Sequence, residues 1–143
     1  MGVAVGIDLG TSNSCVASFR GGKLNVVTND RGERTHASVV SFLPDGKILV
    51  GNSAKRQMVV NPTNTVYSAK RLMGRFFFSE EVRKLREYVT YRMEEGPNKG
   101  ISIKIKKRNY TAAQISSLIL KELKRLTEEQ LGETVDGAVI TVP

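Results

Sequence analysis

The residues with the most chemistry in this chain lie together near its start. In Gly6-Ile7-Asp8-Leu9-Gly10-Thr11-Ser12-Asn13-Ser14-Cys15, one carboxylate, Asp8, sits inside the otherwise apolar run Val3 to Leu9. A carboxylate in a strand-like segment is costly to desolvate unless a cation or strong donors meet it. Hard cations such as Mg²⁺ favour carboxylate oxygens and often keep several waters between themselves and protein. Directly after Asp8, Gly10 removes a side chain where an anion would need room, and Thr11 and Ser12 offer hydroxyl and backbone donors. The pattern is therefore that of a metal-facing carboxylate beside a phosphate-cradling turn. It is not the Walker A arrangement, which needs a lysine at the end of a glycine-rich loop entering a helix. An ordinary hairpin with a capping Asp has the same D-x-G-T letters, and those letters alone leave both readings open.

Strands must hold this turn. Val3 to Leu9 is apolar enough to predict a strand buried on both faces. Ser14 to Phe19 and Lys23 to Val27 read as further strands joined by the Gly21-Gly22 hairpin signal, so the first two pinch the Gly10 to Asn13 turn between them. Asn29-Asp30-Arg31-Gly32 marks another turn. Ala37 to Phe42 and Ile48 to Val50 flank a hairpin at Pro44-Asp45-Gly46. Asn52 to Met58 suggests a short helix ended before Asn61-Pro62. From Thr63 to Gly74 no period is clear, apart from a short helix around Ala69 to Met73. Ser79 reads as an N-cap, with Glu80 and Glu81 in the first turn and Val82 and Leu85 as an apolar stripe. Tyr88 to Met93 suggests a strand before the Glu95-Gly96-Pro97-Asn98 loop. Ile101, Ile103 and Ile105 alternate with Ser102, Lys104 and Lys106, the period of a strand wet on one side. The clearest helix begins at Thr111, where Gln114 completes a capping box. Ile115, Leu118, Ile119, Leu123 and Leu126 give its stripe, and Gly132 closes it. Val135 to Val142 then reads as a buried strand ended by Pro143. No repeat, linker or low-complexity segment divides the chain.

Composition sets the limits. The chain has 143 residues, 40% hydrophobic, with a slightly negative mean hydropathy. No apolar run approaches the ~20 residues of a spanning helix, and the start carries no signal-peptide pattern. A cytoplasmic location is the expectation, with no membrane partner. Cys15 has no second cysteine to pair with, and reads as a small strand residue rather than a reactive thiol. The net charge is +8, and Arg75 to Arg108 holds ten basic residues against five Glu. That stretch has no RNA-recognition, zinc-finger or helix-turn-helix pattern. It reads as a solvated basic face or one that meets acidic chain, rather than a nucleic-acid surface.

The longer strings are more specific. GIDLGTSNSC resembles the first phosphate loop of the DnaK-type heat-shock chaperones, stress proteins of the actin and sugar-kinase ATPase superfamily. ERTHASVVSF, VGNSAKRQMVVNPTNTVYSAKRLMGR and YTAAQISSLILKELKRLTEEQLGETVDGAVITVP resemble the same family in the same order. The likeness covers nearly the whole chain and is weakest from Phe76 to Asn109. Actin-like filaments and sugar kinases share a D-x-G-T turn but not TNTVYSAKRLMGR.

The resemblance implies roles and a fold. Asp8 holds the Mg²⁺ shell, through water. Gly10, Thr11, Ser12 and Asn13 line the site of the β- and γ-phosphates of ATP or ADP, Ser12 standing where the family pattern has Thr. Lys70, by composition merely one of twenty-two basic residues, is the catalytic cation that reaches the γ-phosphate and attacking water. Pro143, on its own a strand terminator, matches a proline implicated in coupling nucleotide state to the peptide-binding domain. The Asn29 to Gly32 loop lies near the nucleotide-exchange-factor contact of bacterial members. The implied fold class is α/β, the ribonuclease-H-like, actin-like ATPase lobe: a mixed β-sheet with packed helices and an inserted smaller α+β subdomain. Residues 1–36 and 110–143 form its core and 37–109 the insertion, with the second lobe and peptide-binding domain lying beyond Pro143.

The implied function is that of the N-terminal lobe of an ATP-dependent chaperone, coupling ATP hydrolysis to binding and release of client peptides. Its partners are unfolded or extended clients, a J-domain co-chaperone and a nucleotide-exchange factor. One lobe supplies one wall of the cleft, so the 143-residue piece is expected neither to hydrolyse ATP usefully nor to bind it tightly. Two alternatives stand beside this: a sugar-kinase-like phosphotransferase, against which the Lys70 segment speaks, and a non-catalytic truncated paralogue or interaction module.

Overall fold

The computed structural model describes residues 2–141. Eleven strands and three helices are present among them: β1 (Val3–Leu9), β2 (Asn13–Arg20), β3 (Lys23–Val26), β4 (His36–Ala37), β5 (Val39–Phe42), β6 (Ile48–Val50), α1 (Asn52–Arg56), β7 (Thr65–Tyr67), α2 (Glu80–Tyr88), β8 (Arg92–Glu95), β9 (Ile101–Ile105), β10 (Arg108–Tyr110), α3 (Ala112–Leu131) and β11 (Val135–Ile140). They build three sheets. The first runs β11-β1-β2-β3, with β4 also pairing β2; β11 is parallel to β1 and the other pairings are antiparallel. The second has the order β6-β5-β7 and the third β10-β9-β8.

Helix α3 forms where its sequence predicts. Thr111 Oγ1 accepts from the Gln114 N–H at 3.1 Å, and the Gln114 side chain accepts from the Thr111 N–H at 2.8 Å, closing the capping box. Gly132 ends the helix in the left-handed region at φ 68°. Its stripe, Ile115, Ile119, Leu123 and Leu126, is buried, with Leu118 at the margin. This stripe joins Val5, Ile7, Val16 and Val27 of the first sheet, Val40 and Val66 of the second and Ile103 and Ile105 of the third in one core. At roughly 1.5–3 kcal/mol for each large apolar side chain removed from water, this shared packing holds the sheets to one helix.

Several expectations need correction. β1 is buried on one face only: Val5 and Ile7 face the core, while Ala4, Gly6 and Asp8 are exposed. The apolar letters misled because Ala and Gly give a small-residue face that needs no cover. β11, expected to be buried, is an edge strand with Val139 and Ile140 exposed, and Val142 lies outside the described residues. The strand expected at Tyr88 to Met93 is displaced: α2 runs through Tyr88, Val82 and Leu85 holding its inner face, and the strand starts at Arg92. Ser79 stands at the N-cap position but makes no side-chain cap bond, and its Oγ is buried without a partner. Two strands went unpredicted, β7 and β10, each three residues long and too short to show a period. The segment expected as one strand, Ala37 to Phe42, is split at Ser38: β4 belongs to the first sheet and β5 to the second.

Candidate phosphate and metal site

Asp8 is exposed on the open face of β1, in register with Cys15 of β2. Solvent access, rather than a buried cation, removes the desolvation cost that its apolar neighbours suggested. Its partner comes from the other end of the chain. The parallel register sets Ile7 beside Ile140, so Thr141 reaches β1: its N–H donates to the Ile7 carbonyl at 2.9 Å and its hydroxyl to Asp8 Oδ1 at 2.9 Å. An ionised carboxylate has about four acceptor positions, so this one bond leaves Asp8 able to accept from water or a cation. Among the described residues no three His, Cys, Asp or Glu side chains gather around a metal position. A lone carboxylate fits a cation that keeps its waters better than one caged by protein.

Gly10 is needed for space. Its φ is not in the left-handed region, but a Cβ there would lie 2.2 Å from the Asn13 carbonyl oxygen. Thr11 and Ser12 form a bend without a hydrogen-bonded closure, Thr11 half-buried and Ser12 and Asn13 exposed. Such a bend leaves room and donors for an anion.

Lys70 lies on a 3-10 turn, Ala69–Leu72, entered through Ser68 at φ 59°. Buried Ala69 and Leu72 anchor that turn in the core. The half-buried lysine then projects to the first sheet, where Nζ donates to the Leu9 carbonyl at 2.5 Å. One of three ammonium donors is used, leaving two for an anion at the neighbouring turn. The structure therefore brings together Asp8, the Gly10 to Asn13 turn and Lys70. Pro143 lies outside the described residues.

Two residues with a hand in the site were not foreseen, Thr141 and Ser38. Thr141 could have been found only by pairing β11 with β1. Ser38 is 4% exposed between apolar neighbours, and a buried hydroxyl in such a run signals a partner elsewhere. Its hydroxyl donates to the Gly10 carbonyl at 2.8 Å.

Cavities lie away from this site. Two of them, about 410 and 430 Å³, are lined by residues of α3 and β6; the first is completed by α1 and the Asn29 to Arg31 loop. The turn itself opens to solvent. No helix among the described residues is long and apolar enough to cross a membrane. A family model described as "Hsp70 protein" matches residues 4–143.

Proposed function

The chain belongs to the Hsp70 family, and from that we propose that it is the first lobe of the ATPase domain of an ATP-dependent chaperone. Family members are chaperones that bind nucleotide and hydrolyse ATP, and the mixed α/β fold is that of an actin-like ATPase lobe. Residues 1–36 and 110–143 would be its core subdomain and 37–109 the inserted one. In the intact protein this lobe would form one wall of the nucleotide cleft, with clients, a J-domain co-chaperone and an exchange factor as partners. Pro143 would relay nucleotide state to the peptide-binding domain.

One observation carries this reading: Lys70, distant in sequence, lies against Leu9, the last residue of β1 before the Gly10 to Asn13 turn. An ammonium so placed can stabilise charge on a transferring phosphoryl group, the main source of catalysis in this chemistry. Asp8, oriented by Thr141, would accept hydrogen bonds from the water shell of Mg²⁺. The bound Mg²⁺ would neutralise charge on the phosphate oxygens. The backbone donors of Thr11, Ser12 and Asn13 would hold the β- and γ-phosphates, with Gly10 letting the turn fold back to place the Asn13 backbone where a Cβ would strike it.

The test is Lys70→Ala in the intact protein that carries this chain. Loss of one such electrostatic partner should lower ATP turnover about 10²–10³-fold, while Mg-ADP still binds. Unchanged turnover would overturn the assignment.

A further inference from the structure

We infer that Ser38 is a positioning residue for phosphate binding: it holds the Gly10 to Asn13 turn open so that backbone N–H groups face the anion. The inference rests on the nucleotide reading above and adds a residue to it. Ser38 is the point at which the chain leaves the first sheet for the second. It makes two contacts with the turn and one with Ser14, just beyond it in β2. Its hydroxyl donates to the Gly10 carbonyl at 2.8 Å, its N–H donates to the Ser12 carbonyl at 2.9 Å, and its Oγ lies 2.9 Å from Ser14 Oγ. A hydroxyl has one proton, and that of Ser38 goes to Gly10, so Ser14 donates to Ser38. The result is a short relay, Ser14 to Ser38 to the Gly10 carbonyl, with Ser14 and Ser38 only 2% and 4% exposed.

The peptide plane turns this into direction. No peptide bond among the described residues is cis, and in a trans peptide the C=O and the following N–H point opposite ways. Holding the Gly10 and Ser12 carbonyls toward Ser38 therefore aims the Thr11 and Asn13 N–H groups away from it. A tight turn usually closes by a bond from the fourth residue's N–H to the first residue's carbonyl. Here the bend at Thr11–Ser12 lacks that closure, and the Gly10 carbonyl is turned toward the Ser38 hydroxyl instead. Ser38 is itself fixed from behind: Asn52 Oδ1 accepts from the Ala37 N–H at 2.7 Å and its Nδ2 donates to the Thr35 carbonyl at 3.0 Å.

A positioning role predicts a loss confined to phosphates. In the intact protein, Ser38→Ala should weaken Mg-ADP binding on the order of tenfold, the scale of one net hydrogen bond to a buried group, and leave adenosine affinity unchanged. Ser38→Thr keeps the donor and should restore ADP affinity. If Ser38→Ala does not fold, Ser14→Ala removes only the relay's first donor and should weaken Mg-ADP by a smaller factor with adenosine unaffected. Equal loss of ADP and adenosine, or no loss of either, would overturn the role of Ser38. Failure of the unmutated protein to bind Mg-ADP would instead sink the nucleotide reading, and this inference with it.

Discussion

Two tight turns of the first sheet are built on opposite principles. Gly10 to Asn13 joins β1 to β2, and Gly21-Gly22 joins β2 to β3; both are glycine-containing links between antiparallel strands. The second carries its shape in its own dihedral angles, φ 55° and 76°, and a Cβ on either glycine would meet nothing within 4 Å. The first takes its shape from elsewhere. Gly10 has no left-handed φ, a Cβ on it would strike backbone, and the turn's carbonyls are held by Ser38 and its neighbouring Leu9 carbonyl by Lys70. A connection can be self-contained because only its path matters. A binding turn needs particular groups aimed outward, and distant residues do the aiming.

Substitutions at the two turns should separate these principles. Gly10→Ala sets a Cβ 2.2 Å from the Asn13 carbonyl oxygen, a backbone atom that can move only with the strand. Overpacking of this kind typically costs about 1–3 kcal/mol, and the shifted turn should also lose Mg-ADP binding in the intact protein. Urea denaturation and nucleotide titration of one variant measure both effects. Normal stability together with normal affinity would erase the distinction between the turns. Gly22→Ala has space but the wrong φ, and should cost about 1 kcal/mol, the scale of a left-handed L-residue. Its nucleotide affinity should stay at the unmutated value. A loss of affinity there would mean that the second turn also shapes the site.

The contrast also explains what could be read from the chain. The Gly21-Gly22 hairpin, the α3 capping box and the stripe Ile115, Ile119, Leu123 and Leu126 were legible because each is coded by neighbours in sequence. Asp8, Gly10 and Thr11 announced a possible phosphate turn for the same reason. Lys70 was invisible without the family resemblance, since nothing local distinguishes it from other basic residues. Ser38 and Thr141 were not foreseen at all, because their partners lie 28 and 133 residues away. Burial was misjudged where small residues were counted as core-forming: Ala4 and Gly6 made β1 look two-sided. The break between β4 and β5 was hidden within a continuous run of buried residues, Ala37 to Phe42, in which only pairing partners change.

A third turn, after β3, extends the comparison with a smaller effect. Asn29 to Glu33 is shaped by a side chain rather than by glycine alone or by remote residues. Asn29 Oδ1 accepts from the N–H groups of Arg31 at 3.0 Å and Glu33 at 2.9 Å, while its Nδ2 donates to Glu33 Oε1 at 3.0 Å. That donation, then the Asn52 amide and the nearby Arg31 and Arg56 charges, holds the Glu33 carboxyl below its usual value of 4.5. A carboxyl lowered on folding stabilises the folded form above its unfolded value and ceases to do so as pH falls through its folded value. Glu33→Gln should therefore be less stable than the unmutated protein at neutral pH, and the gap should shrink once pH drops below about 4.5. Asn29→Ala should shrink the Glu33→Gln difference at neutral pH by removing the principal donor. Denaturation of four proteins across this range, the unmutated chain, each single variant and the double variant, is the measurement. A gap independent of pH would show that Glu33 acts through shape, leaving the turn self-contained in the manner of Gly21-Gly22.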